Sequence, residues 1–261
     1  MRPDLPDLLA QIVAYKRSQM AGVVVSRHEL ELLGEETRPS RRDFRAALLD
    51  REPAIIAEVK RASPSKGVLA NQLDPAAIAR AYEDGGAAAI SVLTDEKFFL
   101  GSLDDLCLAR GAVGLPVLRK DFTIDEYHVA EAAAYSADAV LLIAAILPEK
   151  RLRQLREYAW RFRMAALVEV HDELELCAAL ASGADFIGVN NRNLRTFKDD
   201  LGTSLRLAEK IPTGLIKVSE SGIRSAQDVH KLRQAGYDAF LVGEHLMRSR
   251  DPAQALRELL Q

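Results

Sequence analysis

Four short triplets set the rhythm of this chain: Gly86-Ala87-Ala88, Ser136-Ala137-Asp138, Gly183-Ala184-Asp185 and Gly236-Tyr237-Asp238. Each stands directly before an apolar run, and they recur roughly fifty residues apart, room for two strand–helix units per interval. A doubly wound open sheet has no reason to keep that beat. A closed barrel does, because every second strand is then entered in the same way.

The runs themselves predict strands at Ile55–Lys60, Ala88–Leu93, Pro116–Lys120, Ala139–Ala144, Ala166–Val170, Phe186–Asn190, Ile216–Ser219 and Ala239–Val242. Most begin as unbroken apolar stretches, which suits parallel strands covered on both faces. With helical patterns between them, these strands predict an α/β fold, a (β/α)8 TIM barrel over residues 51–261, and the length of 261 residues is usual for one. Asp74-Pro75 reads as an N-cap followed by Pro, and Gly85-Gly86 as the end of that helix. Ser102–Asp105 and Ser225–Asp228 read as capping boxes with Asp in the place of Glu. Gly111, Gly183 and Gly236 are expected as left-handed residues that close helices.

Residues 1–50 stand outside this rhythm. Leu8 to Val13, running into Lys16-Arg17, has the pattern of an amphipathic helix, and Ser40 to Phe44 begins a second. Such an N-terminal helical extension packs on the barrel either as a cap over its bottom or as a lid that touches substrate.

Charge excludes some partners. Lys and Arg number 35 against 38 Asp and Glu, a net of −3, which gives nucleic acid or a membrane surface nothing to hold. The apolar run from Ala139 stops at Pro148, far short of the ~20 residues that span a bilayer. Met1-Arg2-Pro3-Asp4 lacks the apolar run of a signal peptide. Cys107 and Cys177 lie far apart within helical patterns and make neither a metal spacing nor a disulfide framework. The expectation is a cytoplasmic protein, a monomer or weak homo-oligomer, with a small molecule as its partner.

In a barrel of this kind the C-terminal strand ends carry the chemistry. Ionisable residues collect there: Glu58 and Lys60, Lys120, Glu169, then Asn190 and Arg192. A lone charge after a strand is ordinarily a solvated loop residue. Glu58 and Glu169, however, have apolar neighbours on both sides and should be buried. An unpaired buried carboxylate costs several kcal/mol, so Lys60 or Lys120 is expected beside each, as a structural ion pair or as a tuned acid–base pair. After the seventh strand comes Ser219-Glu220-Ser221-Gly222, and after the eighth Gly243-Glu244. Glycines in those two loops let backbone N–H groups approach an anion, so a phosphorylated substrate is expected; tight turns alone are the bland alternative. Glu244 counts against it, since its charge would repel a dianion.

The stretch Ile56-Ala57-Glu58-Val59-Lys60-Arg61-Ala62-Ser63-Pro64-Ser65-Lys66-Gly67 resembles the signature of the indole-3-glycerol-phosphate synthase family. Companions are Leu118-Arg119-Lys120-Asp121-Phe122, Leu167-Val168-Glu169-Val170-His171, Gly188-Val189-Asn190-Asn191-Arg192, Ser219-Glu220-Ser221-Gly222-Ile223 and Leu241-Val242-Gly243-Glu244. The resemblance covers nearly the whole chain. It implies tryptophan biosynthesis: 1-(2-carboxyphenylamino)-1-deoxyribulose 5-phosphate closes a ring and loses carbon dioxide and water. An internal iminium serves as the electron sink, so no metal and no cofactor is implied. By the same resemblance Lys120 is the general acid of ring closure and Glu169 the general base of dehydration. Lys60 holds the substrate carboxylate or donates a second proton, while Glu58 orients the charges around it. Ser63, Pro64, Phe122, Asn190, Arg192 and Glu220 contact substrate, and Ser221, Gly222, Gly243 and Glu244 form the phosphate loops.

Other readings remain open at this point. One is a phosphosugar isomerase, whose Cys/Asp pair the helical cysteines do not supply. Another is a Schiff-base aldolase using Lys120 or Lys217. A third is a noncatalytic metabolite-binding barrel.

Overall fold

A computed structural model describes residues 6–64, 66–70 and 72–261. Met1 to Leu5, with the N-terminal residues read for a signal peptide, lie outside the described residues, as do Asn71 and Ser65 of the motif. The barrel strands are β1 (Ala54–Val59), β2 (Ala89–Leu93), β3 (Val117–Lys120), β4 (Ala139–Ile143), β5 (Ala165–Val170), β6 (Phe186–Asn190), β7 (Ile216–Glu220) and β8 (Ala239–Val242). All pair in parallel with their chain neighbours, and β8 closes on β1 in the register Ala54 opposite Ala239. This is the (β/α)8 barrel read from the sequence. The expected strands match to within one residue at each end.

The triplet rhythm has a single physical cause. Gly86, Ser136, Gly183 and Gly236 each adopt a left-handed backbone, with φ of 98°, 65°, 81° and 92°. That turn aims the next N–H back at the helix just ended. Ala87 donates to the Tyr82 carbonyl, Ala137 to Ala132, Ala184 to Ala179 and Tyr237 to Leu232. Each helix therefore closes its last free carbonyls and drops straight into an even-numbered strand. Two of the following aspartates reach back to the preceding strand: Asp138 accepts from the Val117 N–H and Asp238 from the Lys217 N–H.

Two details differ from expectation. Gly111 lies inside helix Leu103–Ala112 and has no left-handed φ, because the chain leaves that helix in an extended conformation at Val113. The Ser225–Asp228 capping box is complete, but Ser102–Asp105 supplies only the Ser102 half. The Asp105 carboxylate is instead held by both its oxygens on Arg61 at 3.0 Å.

The N-terminal segment packs on three faces of the barrel. Helix Asp7–Met20 crosses the mouth, where buried Lys16 pairs with Asp121 at 2.7 Å and Asp95 at 3.2 Å. Helix Arg27–Thr37, which the sequence reading missed, lies along helix Glu126–Ala134. Its capping box, Ser26 with Glu29, was a readable signal. Gly34 allows the close approach, since a Cβ there would lie 2.9 Å from that of Ala133. Helix Phe44–Leu49 plugs the opposite end, its Phe44 ring 6.0 Å from that of Phe186 at the start of β6. Cap and mouth cover are thus parts of one segment.

Candidate active site

Successive side chains of a strand point to opposite sides, and that rule sorts the charges. On β1, Glu58 and then Lys60 point into the barrel mouth, with Lys60 Nζ 2.5 Å from Glu58 Oε1. On β3 two cations stand side by side, and only Lys120 enters the mouth. Arg119 turns outward between the helices, where Asp121, Glu131, Thr94 and the His128 carbonyl take up its guanidinium. β5 contributes Glu169 and β7 contributes Glu220. Lys120 Nζ lies 3.0 Å from Glu169 Oε2 and 3.5 Å from Glu220 Oε2. The expected burial of Glu58 and Glu169 holds, and each has its lysine.

Burial alone would neutralise such a group, so the partners decide the charges. Burial works to lower Lys120, but the carboxylates of Glu169, Glu220 and Glu58 outweigh it and hold the ammonium above its ordinary value. Burial likewise works against an ionised Glu169. Lys120, His171 and a hydrogen bond from Asn190 overcome it and keep that carboxyl well below the usual range. Glu220 goes the other way. Burial first, then its neighbours Glu169 and Glu58, push it up to about 8, against the pull of Lys120. Its two oxygens are buried without a hydrogen-bond partner among the described residues. At neutral pH this assembly holds a charged lysine, an ionised glutamate and a glutamic acid that keeps its proton.

Two glycines make room for these carboxylates. A Cβ on Gly188 would stand 2.1 Å from Glu220 Oε1, and one on Gly243 would stand 2.3 Å from Glu58 Oε1. Gly243 therefore has a purpose in the barrel besides the turn that follows β8.

All the residues that the resemblance assigns to the site line one cavity of about 280 Å³ at the C-terminal strand ends: Glu58, Lys60, Ser63, Pro64, Lys120, Phe122, Glu169, Asn190, Arg192, Glu220, Ser221, Gly222, Gly243 and Glu244. One wall is apolar, with the Phe122 ring 5.9 Å from that of Phe99 and tilted by 40° to it, and with Leu8, Leu9 and Ile12 of the N-terminal helix. Ser63 offers a buried hydroxyl with no partner among the described residues. The opposite side is cationic. Arg192 forks onto Asp199 at 2.7 and 3.1 Å, Arg224 stands 3.6 Å from the same carboxylate, and Arg248 stands 3.3 Å from Glu244. Glu244 also meets Lys66 at 3.4 Å and Arg192 at 3.4 Å. Its charge is thus surrounded by cations, which removes the objection it raised against an anion. Ser221 and Gly222 both take left-handed conformations here, with φ of 66° and 79°.

Sequence reasoning missed Phe99, Asp199, Arg224 and Arg248 as site residues, whereas the N-terminal helix, left open as cap or lid, brings Leu8, Leu9 and Ile12 to the cavity. Arg224 had a signal, a cation just past Ser221-Gly222-Ile223. Asp199 had none, since only folding brings it to Arg192. Lys217 lies away from the site, its ammonium bound to the Ala208 carbonyl, so it offers no Schiff-base nucleophile there.

Fold and site together define a (β/α)8 barrel with two buried Lys–Glu pairs at the C-terminal strand ends, where such barrels carry their chemistry. Among solved structures the barrel is similar to a 3-hexulose-6-phosphate synthase, with a TM-score of 0.63 at 15% identity over 79% of this chain and 98% of that one. It is also similar to thiamine phosphate pyrophosphorylase from Pyrococcus furiosus, with a TM-score of 0.58 at 19% identity over 82% and 94%. At such identities these likenesses speak for the fold alone. The family model described as indole-3-glycerol phosphate synthase matches residues 9–259. Curated relatives of that name include the protein of Polaromonas naphthalenivorans, 48% identical over 98% of this chain and 99% of its own length. Those of Desulfotalea psychrophila and Bordetella pertussis are each 49% identical over nearly full length. The chain belongs to the indole-3-glycerol phosphate synthase family, enzymes of tryptophan biosynthesis.

Proposed function

We propose that this protein is the carboxy-lyase that converts 1-(2-carboxyphenylamino)-1-deoxyribulose 5-phosphate to indole-3-glycerol phosphate, carbon dioxide and water. The observation that carries this reading is the pair Lys120–Glu169, a charged acid and an ionised base 3.0 Å apart in a buried site. Lys120 protonates the ketone oxygen as the aromatic ring carbon attacks. The resulting iminium withdraws the electron pair of the carboxylate bond, and carbon dioxide leaves. Lys60 then protonates the departing hydroxyl, while Glu169 takes a proton from the adjacent ring methylene. Glu58, 2.5 Å from Lys60, keeps that ammonium aimed inward.

Substrate orientation follows from the two walls. The aromatic ring lies against Pro64, Phe99 and Phe122. The phosphate lies across the ends of β7 and β8, among the backbone of Ser221, Gly222, Gly243 and Glu244 and within reach of Arg192, Arg224, Arg248 and Lys66. Asn190, Ser63 and Glu220 meet the polar middle of the molecule. A Schiff-base aldolase through Lys120 is the rival, and the ionised Glu169 3.0 Å from that amine holds it protonated and unreactive as a nucleophile.

The test is to supply the carboxyphenylamino-deoxyribulose phosphate and follow the rise of indole fluorescence. Turnover without metal or added cofactor supports the assignment. A covalent adduct trapped by borohydride, with no indole formed, overturns it in favour of the aldolase.

A further inference from the structure

His171 stands next to this site without lining its cavity, and the geometry around it is not explained by the residues that meet substrate. It follows β5 directly. Its Nδ1 lies 2.9 Å from Glu175 Oε2, and the same oxygen accepts the His171 backbone N–H at 2.8 Å. Glu175 therefore fixes Nδ1 as the protonated nitrogen. Nε2 then faces Glu169 Oε1 at 3.5 Å, buried and with no hydrogen-bond partner among the described residues. A neutral imidazole would set a lone pair against a carboxylate oxygen, which is repulsive. The pair is favourable only with a proton between Nε2 and Oε1.

Proton accounting gives that proton a purpose, on the reading of the reaction proposed above. Ring closure takes a proton from Lys120, on Oε2 of Glu169. Dehydration needs Glu169 itself ionised. The same carboxylate thus stands between an acid that has just lost its proton and a C–H that must lose one.

We propose that His171 is a positioning residue: as an imidazolium it clamps Glu169 from the side opposite Lys120 and serves as the proton store of the pair. After ring closure its Nε2 proton passes to Glu169 Oε1, and rotation of the protonated carboxyl brings that same proton to Lys120 Nζ, which restores the charged lysine and the ionised glutamate and leaves His171 neutral. At dehydration Glu169 removes the methylene proton and returns it to Nε2. Nδ1 keeps its proton on Glu175 throughout. The net proton consumed per turnover is the one that leaves with the hydroxyl, and Lys60 regains it from water when product departs.

The groups that face the imidazole are Glu169 of β5, Glu220 of β7 and Glu175 of helix Glu173–Ala181. Lys120 of β3 acts on it through Glu169. Although burial opposes it, the carboxylates hold His171 above the ordinary histidine value. His171 also borders a second cavity, lined by Asp172, Glu175, Asn191 and Thr203, so a gap left at its ring is open to small solutes.

The experiment measures single-turnover product formation against pH for the wild type, His171→Asn and His171→Ala. Asn can keep the bond to Glu175 but cannot titrate. We expect His171→Asn to lower the rate about tenfold, less than the ~10²–10⁴-fold of a lost acid or base that meets substrate itself, with KM unchanged and the acid limb of the profile displaced upward. His171→Ala should regain rate on addition of imidazole. Rates within twofold of wild type with the acid limb unmoved would overturn the proposal, and so would a loss that imidazole does not restore. These results leave the reaction assignment standing. An inactive wild type would instead overturn that assignment, and this inference with it.

Discussion

Where the barrel strands begin, Phe44 of the N-terminal segment packs on Phe186, and the buried residues are mostly hydrocarbon, with Asp138 and its partner Arg110 the charged exception. Where the strands finish, the same eight strands enclose Glu58, Lys60, Lys120, Glu169 and Glu220. The first end gains stability from each buried apolar group. The second holds like charges close together and depends on its neighbours to stay folded around them. One end of the barrel is built for packing, and the packing supports strained electrostatics at the other.

That contrast can be broken from either side. The largest effect is expected at the mouth: Lys120→Ala and Glu169→Gln should each lower kcat by about 10²–10⁴-fold, with the circular dichroism spectrum at 25 °C that of a folded barrel. Near-wild-type rates in both would end the role assignment. At the bottom, Phe44→Ala should cost about 3–5 kcal/mol in denaturant unfolding and leave kcat/KM of the folded enzyme within a few-fold. A large loss of activity at unchanged stability would show the two ends to be coupled.

Gly243→Ala tests the space kept for Glu58. Its Cβ would lie 2.3 Å from Glu58 Oε1, so the carboxylate must move off Lys60. A fall in kcat greater than the rise in KM is expected, whereas a glycine used only for phosphate would show the reverse.

Glu220 makes the stability of the mouth depend on pH. In the native protein it holds its proton up to about 8, whereas in the unfolded chain it ionises near the usual 4.5. Between those values the native state binds the extra proton, so its contribution to stability falls as pH rises through that window. Glu220→Gln should therefore flatten the decline in unfolding free energy between pH 5 and pH 8, by about 1–3 kcal/mol. An unchanged decline in the variant would mean that Glu220 is ionised throughout.

The smallest effect belongs to the rim. Arg248 is half-exposed, and Arg248→Ala should raise KM by about two- to fivefold, less so at high salt, with kcat unchanged.

Much of this was legible in the chain. The triplets before the even strands announced the barrel because they are helix endings, and a left-handed residue followed by a back-reaching N–H is a local matter of a few residues. Glu58 and Glu169 were recognisable as buried because an apolar residue stood on each side. Helix Arg27–Thr37 escaped notice because only Leu30 and Gly34 of it are buried, too sparse for a periodic stripe. Lys16 gave no sign of bridging to Asp95 and Asp121, since all three read as ordinary surface charges.

Alternation along a strand is set by covalent geometry, so the sequence by itself determined that Glu58 faces the same way as Lys60 and that Arg119 turns away from Lys120. It determined the number and order of strands for a similar reason: each is bounded by signals a few residues long. Which carboxylate meets which lysine across the mouth was decided only by the tertiary structure. Lys120, Glu169 and Glu220 come from three strands whose stagger around the closed barrel fixes their heights. The sharing of charge among them depends on distances of a few ångströms in a site with little water to screen them. No local pattern carries that information. The same closure gave Glu220 its proton, Gly243 its second purpose and Glu169 a histidine at its back.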